Sequence, residues 1–240
     1  MTGPPPIDFD LEELRCRYLA KRDSSLSLNN QVDGPALLSM AGNLDGLSVL
    51  EIGCGAGELA QLLAECRLKS YVGMDISSAM VGLAKKRVID PRFDFQVVDV
   101  ENGLITGGVD VVISALAFHF LTDLDGVLCS VRDALAPGGR LAFSIRHPLR
   151  TCNPSGLAVG GEGWNAKDYF QEGVRTILWH EHTIHVFHRT VSTILTAVLG
   201  AGFSIVSVAE LRPELDRVLE PDRDHCFVPG LLHICAVKPS

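Results

Sequence analysis

Apolar residues fall along this chain in short runs separated by stretches with helical spacing. Residues 47–52 form the first run, with Leu47, Val49, Leu50 and Ile52 broken only by Ser48 and Glu51, the pattern of a buried strand. Gly53, Gly55 and Gly57 follow at alternate positions, and Leu59, Leu62, Leu63 and Cys66 then recur at helical intervals. This predicts a strand, a tight glycine turn and a helix. Further strands are expected at 71–75, 93–98, 109–114 and 140–146. Between them, Met80, Val81, Leu83 and Ala84 mark a helix that Ser77 or Ser78 can cap. Leu124, Val127, Leu128, Val131 and Leu135 mark another over 123–136, stopped by Pro137-Gly138-Gly139. Regular strand–helix alternation predicts an α/β fold with a parallel, doubly wound sheet.

The two ends differ from this middle. Residues 1–8 read as a loose proline-rich tail, and 9–22 as an amphipathic helix carrying Leu11, Leu14, Tyr18 and Leu19. Residues 24–34 are polar and irregular, and a short helix over 35–40 opens on Pro35. From 147 to 188 no helical period is visible, and glycines and aromatics dominate. Thr190 then begins an apolar helix (Val191, Ile194, Leu195, Val198, Leu199) closed by Gly200-Ala201-Gly202. Strand six is expected at 203–210 and strand seven at 231–237; no helix separates them, so they pair antiparallel. One domain spanning 1–240 is expected: an N-terminal helical cap (1–46), a core (47–146), a second cap segment (147–190) and a C-terminal helix with the antiparallel pair (191–240).

Composition narrows the function. Apolar content of 47% with 21% charge is ordinary for a globular chain, and a net charge of −8 argues against a nucleic-acid or anionic membrane partner. The seven cysteines are odd in number, scattered and without a C-x-x-C pair, which suits reduced thiols in the cytoplasm. The start of the chain has no signal-peptide pattern, and no apolar run approaches the ~20 residues of a membrane span.

The glycine turn specifies a ligand class. Glycines admit positive φ and bring backbone close to a bound molecule. In the dinucleotide fingerprint G-x-G-x-x-G, the third glycine falls here on Glu58, whose carboxylate repels a pyrophosphate. The pattern is instead E-x-G-x-G-x-G, and it resembles motif I of the class I S-adenosylmethionine (SAM)-dependent methyltransferases. Asp75 closing strand two, Asp99 closing strand three, the 135–141 stretch before strand five and the final antiparallel pair agree. His147-Pro148, Tyr169-Phe170-Gln171-Glu172, His188-Arg189 and Ala201-Gly202-Phe203 resemble a bacterial small-molecule subgroup. The resemblance implies a Rossmann-like seven-stranded sheet with strand seven antiparallel, SAM as methyl donor and S-adenosylhomocysteine (SAH) as product. It implies cofactor contacts from Glu51, Gly53, Cys54, Gly55, Gly57, Asp75, Ile76, Asp99, Val100, Ser114 and Ala115. Asp75 would take the ribose hydroxyls, Asp99 and the Val100 N–H the adenine, and Glu51 the network around the ammonium. Tyr18 and Asn30 either close over the cofactor or serve packing and turn chemistry.

Methyl transfer from a sulfonium is an in-line displacement governed largely by orientation and exclusion of water. The acceptor is expected to be a small molecule reacting through O, N or C. His119, just past strand four, is the candidate base, or a positional histidine under the cofactor. His147, Trp164, Tyr169, Trp179, His188 and Arg189 are the candidate acceptor contacts. His180, Glu181, His182, His185 and His188 crowd nine residues, but on a strand His180 and His182 face one way and His185 the other, so no metal site is expected. Ser114-Ala115-Leu116-Ala117 replaces the Asn/Asp-Pro-Pro-aromatic box of nucleic-acid amino methylation. A SAM-binding protein of the same fold without transfer remains the alternative.

Overall fold

The computed structural model describes residues 7–104, 107–152, 166, 168–179, 182–217, 219 and 226–240. In chain order the elements are α1 (Glu12–Arg22), α2 (Gly34–Ala41), β1 (Ser48–Ile52), α3 (Glu58–Leu63), β2 (Ser70–Asp75), α4 (Ser78–Arg87), β3 (Phe93–Val97), β4 (Val109–Ala115), α5 (Leu124–Ala134), β5 (Leu135–Arg146), α6 (Pro148–Thr151), β6 (Gly173–Trp179), β7 (His182–His188), α7 (Val191–Gly200), β8 (Ser204–Ala209) and β9 (Leu231–Val237). Seven strands form one sheet in the order β3-β2-β1-β4-β5-β9-β8. The first five are parallel, and β9 runs antiparallel between β5 and β8. Strands six and seven of the sequence reading are thus β8 and β9, paired as expected.

Both sheet faces are covered, which is why the parallel strands read as nearly continuous apolar runs. Leu50, Val112 and Phe143 pack with Leu128 and Val131 of α5 and Val198 of α7. Their neighbours Val49, Val111 and Ile113 point the other way, against Leu37 of α2, Leu59 and Leu63 of α3 and Val81 of α4. Each such side chain, fully buried, contributes about 1.5–3 kcal/mol.

Three boundaries depart from the sequence reading. Within 24–34, residues Asn29–Asp33 form a single π-helical turn that runs into α2. Strand five begins earlier, because Leu135 pairs with Val109 before a bulge brings Arg140 opposite Val111. Segment 147–188 contains a β-hairpin, β6 pairing β7 from Gly173↔His188 to Trp179↔His182. The hairpin lies against the N-terminal segment: Ile184 and Val186 cluster with Ile7 and Leu14, flanked by Phe9, Phe120 and Trp179. Asp10 ties that segment to the core by accepting hydrogen bonds from the Ser77 hydroxyl (2.7 Å) and the Ala79 N–H (2.9 Å) at the start of α4. All seven cysteines are unbridged. Among the described residues no helix is long and apolar enough to cross a membrane.

Candidate active site

The β1–α3 corner is built from three glycines with positive φ, Gly53 (75°), Gly55 (54°) and Gly57 (83°). They do different work. A Cβ on Gly53 would lie 2.4 Å from the Ala117 Cβ, so bare backbone lets the corner touch the segment after β4. Gly55 has room, and its φ sets the requirement. A Cβ on Gly57 would lie 3.2 Å from Ala84, so this glycine seats α3 on α4.

Asp75, at the end of β2, is pinned across the corner. Its Oδ2 accepts from the Gly55 N–H (2.9 Å) and its Oδ1 from the Ser77 N–H (2.9 Å). A carboxylate has about four acceptor sites, so capacity remains for two more donors. Burial pushes its pKa up, against the pull of those two N–H groups. Glu51, on β1, is buried and hydrogen-bonded to the Tyr71 hydroxyl. Burial pushes its pKa up to about 8, opposed by the Tyr71 hydrogen bond and Arg22 and helped by Glu58 and Asp75. Asp99 caps a short turn through the Glu101 N–H (3.1 Å) and also accepts from the Asn102 amide (2.9 Å).

These ends of β1, β2 and β3 share one cavity of about 240 Å³ with the ends of β4 and β5. Of the predicted residues, Glu51, Gly53, Cys54, Gly55, Asp75, Ile76, Asp99, Val100, Ala115, His119 and Trp179 line it. Leu116, also in the lining, has φ of 55°, an uncommon conformation for a branched side chain, and its N–H is held by the Ser144 hydroxyl at 3.0 Å. His119 is only 2% exposed, and its Nδ1 has no hydrogen-bond partner. Burial, reinforced by Arg146 and Arg150, holds it well below the ordinary imidazole range, so it is neutral.

Several predicted contacts lie elsewhere. Gly57 packs helices, and Ser114 is buried with its hydroxyl donating to the Ile52 carbonyl (2.9 Å), tying β4 to β1. The His147 Nδ1 accepts from the Leu149 N–H (3.1 Å) and its Nε2 meets Glu210 (2.6 Å), so it caps α6. His188 donates from Nε2 to the Tyr169 carbonyl (2.8 Å), which makes its Nδ1 the acceptor of the Thr151 hydroxyl (2.7 Å). The Tyr169 hydroxyl accepts from the Val191 N–H at the start of α7 (3.2 Å). Arg189 donates to the carbonyls of Leu121 (2.8 Å) and Thr122 (3.0 Å). His147 thus ties α6 to the segment after β8, while Tyr169, His188 and Arg189 knit the hairpin to α6, α7 and the loop after β4; none of the four lines the cavity. Trp164, His180 and Glu181 lie outside the described residues. His185 faces away from His182 and His188 and bonds Thr176 (3.3 Å); among the described residues no group of His, Cys, Asp and Glu gathers to hold a metal.

Tyr18 lines the cavity beside Phe9 (ring centroids 4.8 Å apart) and Trp179 (5.8 Å). Asn30 does not; its amide donates to the carbonyls of Arg22 (2.9 Å) and Ser24 (2.8 Å). Glu58, at the glycine turn, also lines the cavity, and sequence reasoning missed Arg22, Arg146 and Arg150 there. A signal for Arg22 existed: Leu14, Tyr18 and Arg22 are spaced by four on one helical face. The Arg22 Nε is buried without a partner, and Glu58 sits 3.1 Å from Arg87. The cavity therefore offers a ligand both acids and a buried guanidinium, next to exposed backbone. That suits a zwitterion with a nucleoside attached.

Comparison with known proteins agrees. The Methyltransf_11 family, a methyltransferase domain, matches residues 50–143. A Haemophilus influenzae protein, named only as uncharacterized, is 30% identical over 220 residues, 84% of this chain and 85% of that one. The crystal structure of a SAM-dependent methyltransferase from Mesorhizobium loti superposes with TM-score 0.79 at 28% identity, covering 90% of this chain and 99% of that one. A Priestia megaterium malonyl-[acyl-carrier protein] O-methyltransferase is 36% identical over 99 residues, 41% of this chain and only 36% of that one. A fold with this strand order, a glycine corner answered by Asp75, and these matches lead to one assignment: the chain belongs to the class I SAM-dependent methyltransferases.

Proposed function

We propose that this enzyme methylates a small-molecule acceptor held between His119 and the cap formed by α1 and the β6–β7 hairpin. The observation that carries the reading is one cavity lined by the glycine corner, Asp75 and the buried His119 together. The methyl donor supplies an electrophilic methyl on a sulfonium when bound. Around it, Asp75 accepts from the ribose hydroxyls with its two spare sites, and Asp99 with the Val100 N–H holds the adenine. Gly53, Cys54 and Gly55 give backbone contact, while Glu51 and the Ala115 carbonyl receive the ammonium. Arg22, with its unpartnered Nε, takes the carboxylate, and Ile76 packs on the nucleoside. Gly57 and Ser114 shape the cradle without touching its occupant.

His119 acts here as a positioning group more than as a base. A neutral imidazole next to two guanidiniums binds an incoming proton weakly, which disfavours proton abstraction. Phe9, Tyr18 and Trp179 exclude water from the reacting end. Oxygen is the favoured acceptor atom among O, N and C, a choice supported by the O-methyltransferase relative that shares the core. We take residues 1–240 as one domain working in the cytoplasm on a soluble metabolite, with unbridged cysteines and net acidity in support. The test is incubation with methyl-labelled SAM and a panel of oxygen, nitrogen and carbon acceptors, following SAH. Transfer to an oxygen acceptor supports the reading; SAH formed only with amines or carbanions contradicts it.

A further inference from the structure

The far end of the cavity differs in charge from the corner. Glu51, Glu58 and Asp75 gather acid where β1 and β2 finish. Beyond β4 the lining carries two guanidiniums instead, Arg146 at the end of β5 and Arg150 in α6, together with buried His119. Glu101, in the turn after β3, also lines the cavity, and its Oε1 accepts from the N–H groups of Thr122 (3.0 Å) and Asp123 (2.7 Å). The remaining walls include Phe120, Leu121, Trp179 and Leu231, which are apolar.

We propose that the acceptor is an organic carboxylate with an apolar body, held by Arg146 and Arg150 and methylated on a carboxylate oxygen to give a methyl ester. The proposal rests on the reading of this cavity as a methyl-transfer site. Guanidinium forks match the planar carboxylate and bind it with charge-assisted hydrogen bonds. They repel an ammonium acceptor at the same place. Proton accounting points the same way. A hydroxyl or amine acceptor must shed a proton, and His119, flanked by two cations and kept neutral by burial, is a poor place to put it. A carboxylate arrives ionised at neutral pH. One of its oxygen lone pairs forms the new O–CH₃ bond while the S–CH₃ bond breaks and its electron pair returns to sulfur. Carboxylate and sulfonium charges cancel, leaving a neutral ester and a neutral thioether, with no proton released.

The test uses the full-length enzyme saturated with SAH. Phenylacetate, 2-phenylethanol, 2-phenylethylamine and benzylphosphonate are titrated into it calorimetrically, and octanoate against 1-octanol repeats the comparison with a different body. At least one carboxylate is expected to bind about tenfold or more tighter than its alcohol and amine counterparts. Arg146→Met and Arg150→Met should each remove most of that preference, and Arg150→Lys should restore part of it. SAH affinity should stay within about twofold of wild type, which reports an intact fold. With labelled SAM, the carboxylate product should release labelled methanol in alkali. Equal binding of the neutral or cationic counterparts overturns the proposal, as does a preference that survives both arginine substitutions. A phosphonate bound about tenfold tighter than the carboxylate overturns it in favour of a phosphorus oxyanion. Failure of wild-type enzyme to bind SAH would sink the methyl-transfer reading itself, a distinguishable result.

Discussion

Glu51 and His119 are both buried, both neutral at pH 7, and reach that state from opposite directions. Burial lifts the carboxyl from its ordinary 4.5 to about 8 and lowers the imidazole. For Glu51 the linkage sign is clear. Between pH 4.5 and about 8 the unfolded chain has lost the proton that the folded chain keeps, so this group lowers stability as pH rises through that window and adds nothing further above it. An ammonium bound beside Glu51 favours its ionised form. SAM affinity should therefore rise as pH approaches about 8, with proton release on binding, and then level off. Calorimetry in buffers of different ionisation heat measures this; Glu51→Gln should flatten the slope, and a flat wild-type profile contradicts the assignment. Gly53→Ala places a methyl 2.4 Å from the Ala117 Cβ at a positive φ. It should cost about 1–3 kcal/mol in a denaturant titration and weaken SAM binding more than Gly46→Ala, where a Cβ meets nothing.

At the level of elements, the N-terminal segment is a strap over the cavity, and two of its polar ties to the core can be tested. Asp10 caps α4, and its carboxyl is held below the usual range by the Ser77 hydroxyl and the Ala79 N–H. Asp10→Ala should cost about 1 kcal/mol of stability and weaken SAM binding through Tyr18 and Arg22. Unchanged SAM affinity would mean that the strap does not shape the site. At the second tie, Asp33 meets His233 of β9 at 3.1 Å with both side chains buried. His233→Leu leaves that carboxyl without its partner and should destabilise the fold by about 1–3 kcal/mol, read as a lowered denaturation midpoint. The core strands were legible because residues such as Val49 and Leu50 are buried on opposite faces and stay apolar on both. The hairpin was not, because His182, His185 and His188 blur the alternation of β7, where only Ile184 and Val186 mark the inner face. The contacts of His147, Tyr169 and His188 were not legible for a related reason. Their partners, Glu210, Val191 and Thr151, are settled by tertiary packing and leave no local pattern.

For the molecule as a whole, topology places the chemistry. The chain winds outward from β1 to β3, returns to β4 on the other side, and so opens a crevice at the carboxyl ends of β1 and β4. The glycine corner follows β1, Asp75 closes β2 and His119 follows β4, each at a strand's carboxyl end, which is why motif spacing alone located them. Arg22, Arg146 and Arg150 come from the strap and the far side of β5, and only the folded arrangement brings them to the same cavity. The claim on which the account turns is that this crevice binds the nucleoside through Asp75, and calorimetric titration of SAH into wild type and Asp75→Ala tests it most directly. Saturable wild-type binding, weakened by about 1–3 kcal/mol in an Asp75→Ala variant that still unfolds cooperatively, is the predicted result. Equal affinity in both proteins, or no binding to either, would contradict it.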